Sequence, residues 1–170
     1  LPLVDEGSLD ALRALDEVTL PNELVAYFRR VNGYHYGALA ERDMFRPDFA
    51  WGMKALSVDH ALHLHRSLQS AITDETPDYW VDGFLPILDD GAGSVVAVNC
   101  IASSPTFGAV YEMTHGVGLN RIASSLAEFF EASTAAIAQG FFRYEDGMLL
   151  SDDPRFLREA GPLYGDSPYF

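Results

Sequence analysis

Residues Phe84 to Asn99 read FLPILDDGAGSVVAVN, two short apolar runs on either side of Asp89-Asp90-Gly91-Ala92-Gly93. Short β-branched-rich runs separated by an Asp/Gly cluster specify a β-hairpin, because the glycines supply positive φ. The connection exceeds two residues, so it predicts a wider or bulged loop rather than a tight primed turn. Gly91-Ala92-Gly93-Ser94 has the look of half a phosphate loop. It lies between two strands and lacks the lysine and following helix that phosphate binding requires, so it reads as a turn.

Helices precede the hairpin. Leu9, Leu12 and Leu15 share one face of a short helix with Ser8 as its expected cap. Leu24, Tyr27, Phe28 and Val31 form an amphipathic stripe behind Pro21, and Asn32-Gly33 is the expected stop. Residues 34–55 are aromatic and irregular, and Tyr34, Tyr36, Phe45, Phe49 and Trp51 are expected to cover the core rather than bind a ligand. Ser57 opens a further helix through Leu62, Leu68 and Ile72, ending near Asp74–Pro77.

After the hairpin, Phe107–Met113 reads as a third strand, and His115-Gly116 with Gly118 as a turn. Ser125-Leu126-Ala127-Glu128 is a capping box ahead of a helix carrying Leu126, Phe129, Phe130 and Ile137, stopped by Gly140. Phe141–Tyr144 and Met148–Leu150 flank a turn at Glu145-Asp146-Gly147, and Asp153-Pro154 opens a short last helix. Pro162–Phe170 is expected to be a loose tail or an arm docked by Tyr164, Tyr169 and Phe170. Helices, then successive strands, then a helix give α+β with a largely antiparallel sheet, since no βαβ alternation occurs. The 170 residues, 48% of them hydrophobic, suffice for one core, and a single domain over 1–170 is expected.

The chain carries little that resembles reactive equipment. His60, His63 and His65 sit in H-A-L-H-L-H, but on a helix His65 points about 140° away from His60. No cysteine or H-E-x-x-H pattern joins them, so exposed histidines are expected, with no metal site. Asp89-Asp90 and Asp152-Asp153 are explained by a turn and a helix cap. The one cysteine, Cys100, lies beside an apolar strand without a dyad partner and reads as a buried, inert thiol. The only lysine is Lys54, and no G-x-S-x-G is present. No catalytic residue and no cofactor are expected.

Twenty-five acids against 11 Lys and Arg give a formal charge of -14. Such a field repels nucleic acid and anionic membranes and favours basic partners. With no span-length apolar run and no signal-peptide pattern, a cytoplasmic protein is expected.

In order along the chain, Leu20-Pro21 with Glu23-Leu24, Tyr27-Phe28, Asn32-Gly33, Leu56-Ser57-Val58-Asp59, Phe84-Leu85-Pro86-Ile87, Gly91-Ala92-Gly93, Val98-Asn99, Gly108 with Val110, and Ile122 through Leu126 with Glu128-Phe129-Phe130 resemble the SUKH superfamily, named partly for Smi/Knr-type yeast cell-wall-synthesis regulators. The resemblance covers about residues 18–135. Asn99 departs from it, since many relatives carry an acid there, and the segment 141–170 is read as a variable C-terminal extension. The resemblance implies a curved antiparallel sheet flanked by helices and a non-enzymatic, protein-binding role. Similar bacterial proteins commonly are immunity proteins that neutralise a cognate toxin, often one that acts on nucleic acid; the alternative is an intracellular regulatory or scaffold module. For a partner with a basic surface, the expected contacts are Asp74, Glu75, Asp78, Trp80, Asp82, Asp89 and Asp90.

Overall fold

A computed structural model describes residues 4, 6–33, 50–72, 80–114, 118–145, 148–151 and 153–164. Its centre is a five-stranded antiparallel sheet in the order β1 (Lys54–Ala55), β2 (Phe84–Asp89), β3 (Val95–Asn99), β4 (Val110–Thr114) and β5 (Gly118–Ala123). The expected hairpin is β2–β3, with Phe84 opposite Asn99 and Asp89 opposite Val95. All five residues of β3 are buried. Val96 and Val98 enter the main core, while Val95 and Ala97 join a second cluster with Leu68, Trp80, Phe84 and Met113. Both faces of the hairpin are therefore covered, which is why its strands read as unbroken apolar runs rather than alternating ones.

Pro86 would remove a ladder hydrogen bond from an internal strand. It sits where the β2–β3 register shifts, between Pro86 and Leu88, the kind of irregularity at which a strand tolerates proline. Ile87, skipped by that shift, instead offers its carbonyl to the Leu56 amide at 2.9 Å.

Among the described residues, four longer helices and a short one surround the sheet: α1 (Glu6–Arg13), α2 (Asn22–Arg30), α3 (Val58–Ser70), α4 (Leu126–Ala138) and α5 (Asp153–Glu159). The first begins two residues before the expected cap. Ser8 lies inside α1, with its hydroxyl 3.4 Å from Asp59 on α3, and Glu6 supplies the acid that a helix start favours. Leu15 falls beyond the helix end. A strand missing from the sequence reading is β5, whose GLNRIA pattern lacks clean alternation because it is an edge strand with four half-buried residues.

Two junctions hold the helices in place. Asn32 Oδ1 accepts the Val58 amide at 3.0 Å and Ser57 Oγ accepts the His60 amide at 3.3 Å, so the end of α2 helps cap the start of α3. Gly33 is needed there: its φ is +57°, and any Cβ would collide with the backbone of Leu56 and Ser57. At the second junction, Glu23 on α2 accepts the amides of Leu126 (3.1 Å) and Ala127 (3.2 Å), the first two of α4. Ser125 Oγ takes the Glu128 amide at 3.1 Å, as the capping box predicts. The return half differs, because Glu128 Oε2 accepts the Ser124 amide and hydroxyl rather than the Ser125 amide. Those two bonds hold the Glu128 carboxyl below the usual range.

Beyond α4 the expected strand pair and short helix form, and of the tail or docked arm expected from Pro162, the docked arm is seen as far as Tyr164. Strands β6 (Phe142–Glu145) and β7 (Met148–Ser151) pair, α5 follows, and a 3-10 turn (Gly161–Leu163) presents Tyr164, which is 1% exposed. Trp51 donates its indole N–H to the Tyr164 hydroxyl at 2.9 Å and packs against Phe129, Phe156 and Tyr164, so it serves the core as expected. Arg155 donates to the carbonyls of Gly140 and Gln139, capping the far end of α4. Tyr34, Tyr36, Phe45, Phe49, Tyr169 and Phe170 lie outside the described residues.

Two predictions follow from these contacts. Glu23→Ala removes acceptors for two helix-start amides and should cost about 1–2 kcal/mol, lowering Tm by several degrees in a thermal melt, with Glu23→Gln losing less. An unchanged Tm in Glu23→Ala would mean that water replaces the cap at no cost.

The second concerns His65, which is fully buried rather than exposed and whose Nδ1–H donates to the Phe84 carbonyl at 2.9 Å. Among the described residues its Nε2 has no partner, and burial lowers its pKa, outweighing the Phe84 bond and the Asp82 and Glu17 charges. The unfolded chain binds this proton near pH 6.5, so stability is fully present above that value and declines as pH falls towards the lower folded value. Urea denaturation between pH 8 and pH 5 should show this decline, with a shallower slope in His65→Asn, which cannot titrate.

Candidate functional site

Of the acidic and aromatic residues expected to meet a partner, those described do not form one patch. Trp80 is 2% exposed and belongs to the second core cluster, edge-on to His65 and Phe84 at 6.3 and 6.4 Å. It is therefore a core residue, not a surface anchor, because the outer face of β2–β3 needs a large apolar side chain to cover it. Asp82 is exposed just before β2 and accepts Gln69 Nε2 at 3.0 Å. Asp89 and Asp90 lie at the opposite end of β2, about 20 Å away at the usual strand rise. Asp74, Glu75 and Asp78 lie outside the described residues.

The hairpin turn uses its own acids. Asp89 Oδ1 accepts the Gly91 amide at 2.9 Å, while Asp90 Oδ1 accepts the Ala92 and Ser94 amides at 2.7 and 2.9 Å. These bonds build the wide loop, with Gly91 at φ +75° and Gly93 at φ +105°. The glycines serve turn geometry, as the sequence suggested. Asp90 remains exposed, whereas Asp89 is half-buried and burial pushes its carboxyl up.

Beside Asp89 lies a groove of about 340 Å³ lined by Leu56, His60, His63, Leu64 and Asp89. Three-residue spacing puts His60 and His63 on one face of α3, and their nearness to Asp89 comes from α3 packing over β2. The His60 ring is fixed by Nδ1 against Ser57 Oγ at 2.9 Å. The H-A-L-H spacing signalled this face, but the carboxylate from a strand 26 residues later could not be paired with it from sequence. Among the described residues, no group of three or more His, Cys, Asp or Glu side chains assembles as a metal cage.

Asn99 has a structural role that suits an amide. Fully enclosed, it donates to Ser104 Oγ (2.8 Å) and Thr106 Oγ1 (2.9 Å) while its oxygen accepts the Ile101 amide (3.0 Å). A carboxylate could accept the Ile101 amide but could not donate to the two hydroxyls. Cys100 is fully buried and its thiol is pushed up to about 12, which removes the thiolate needed of a nucleophile.

The architecture and the site together describe an α+β domain whose exposed chemistry is acidic. The sequence pattern of the SMI1 / KNR4 family (SUKH-1) matches residues 3–132, more than half of the chain, and the protein belongs to that family. A comparison with curated proteins finds no match. Among the described residues, no helix is long and apolar enough to cross a membrane. The family match ends within α4, so β6, β7, α5 and the 3-10 turn lie beyond it.

The buried thiol makes its own prediction. Alkylation of Cys100 by iodoacetamide at pH 8 should be at least an order of magnitude slower in the native protein than in urea. Equal rates would show that the strand end opens freely.

Proposed function

We propose that this protein is a non-enzymatic, partner-binding member of its family that acts as a bacterial immunity protein in the cytoplasm. It neutralises a cognate toxin, a nuclease or another enzyme acting on nucleic acid, by binding it directly. The observation that carries this reading is the charge of -14 on a chain of this family. An enzyme that grips a polyanion has a basic cleft, and an acidic protein can fill it by electrostatic complementarity. The exposed turn at Asp89-Asp90 supplies negative charge on a rigid hairpin, and Asp82 supplies more at the other end of β2. Association is then fast and salt-sensitive, because Asp82 and Asp90 are solvated until contact.

The test is co-expression with the toxin encoded beside this gene, followed by purification of a complex. Restored growth and a complex whose association rate falls as salt is raised are the expected results. Absence of both rescue and complex would overturn the proposal. Capture of an endogenous regulator with no neighbouring toxin gene would transfer the protein to the scaffold reading.

A further inference from the structure

The groove at Asp89 combines a half-buried carboxylate with apolar walls, a pairing that the open acidic turn lacks. Leu56, 3% exposed and part of the main core, forms the floor, and Leu64 packs partly buried beside it. His63 is exposed one helical turn from His60 at the rim. One oxygen of Asp89 is held by the Gly91 amide. Lys54, its register partner across β1–β2, contributes a favourable field but makes no ion pair with a described carboxylate, and Asp90 adds an unfavourable one. Taking a carboxylate part-way out of water is costly unless a cation replaces the lost hydration. Apolar walls next to it suit the methylene stem of a long cationic side chain, whose charged head stays at the carboxylate. Imidazole rings at the rim offer planar surfaces to a guanidinium. The volume lies at the small end of binding sites, fitting one side chain rather than a helix.

We infer that this groove receives a single basic side chain, arginine or lysine, from a partner protein. Asp89 pairs with its head, Leu56 and Leu64 cover its stem, and His63 flanks it. The inference rests on the reading of an acidic protein meeting a basic partner, and it names the contact that would fix the register of that meeting. Asp90 attracts the partner at a distance, and Asp89 holds the chosen side chain.

The groove can be tested without any toxin. The full chain is titrated with N-acetyl-arginine amide and N-acetyl-lysine amide while NMR follows the Leu56 and Leu64 methyls and the His60 and His63 ring protons. N-acetyl-norleucine amide serves as an uncharged control. Saturable shifts with the cationic amides, absent with norleucine, are expected. Asp89→Asn, which can still accept the Gly91 amide and so keep the turn, should weaken binding roughly tenfold, the worth of one hydrogen bond to a charged group. No localised shifts, equal response to norleucine, or undiminished binding in Asp89→Asn would overturn the inference. Amide binding without toxin rescue sinks the toxin reading alone. A toxin complex formed equally well by Asp89→Asn removes the groove from it.

Discussion

The carboxylate of Glu23 closes the start of α4 from 103 residues away, accepting the amides of Leu126 and Ala127, and much of the molecule depends on that link. A helix start has four amides without intrahelical partners, and it carries partial positive charge. Here Glu23 takes two and Ser125 Oγ takes the Glu128 amide, after which the Ser125 carbonyl accepts the first helical bond from Phe129. The result joins α2 to α4 in a fixed orientation, which lets Tyr27 stack on Phe130 at 5.6 Å. It also explains why Pro21-Asn22-Glu23-Leu24 and Ser125-Leu126-Ala127-Glu128 occur in one chain: the two segments complete a single cap.

With α2 and α4 so placed, the sheet is enclosed on both sides. Its main face packs on residues drawn from Leu9 to Tyr164, and on the other Trp80 and Leu68 cover Phe84, Val95, Ala97 and Met113. The C-terminal segment beyond the family match is part of this enclosure. Tyr164 closes over Trp51, and Arg155 both caps the end of α4 and lies 4.5 Å from the Phe141 ring centre. Trp51 holds φ +56°, an unusual backbone for a bulky residue, in the middle of that aromatic cluster. Such a conformation persists where the surroundings over-determine it.

The same enclosure decides where function can reside. Because the hairpin is buried on both faces, its exposed chemistry is confined to its ends and to the grooves where helices cross it. The acids therefore separate into Asp82 at one end of β2 and Asp89 with Asp90 at the other. Asp90 is solvated, whereas Asp89 is drawn under α3 and loses part of its hydration. Two adjacent aspartates in one turn thus differ in hydration, one solvated and the other partly desolvated beside a groove.

Local features were legible in the chain. Apolar periodicity located α2, α3 and α4, the Asp/Gly cluster located the β2–β3 turn, and Ser57 and Ser125 marked helix starts, because these signals act within one helical turn or one hairpin. Edge strand β5 escaped, since its half-buried residues leave no alternation. Three further matters depended on tertiary structure. Trp80 and His65 have sequences around them compatible with either surface or core, and only the packing of α3 on Phe84 buried both. Glu23 looks like any acid in a first turn until α4 arrives. Asp89 meets His60 and His63 only because β2 runs beneath α3. Propensity and turn chemistry are set by neighbours in the chain, so the sequence alone determined the elements. Burial, long-range caps and the groove arise between segments far apart in the chain, so the folded arrangement alone decided which carboxylates stay exposed.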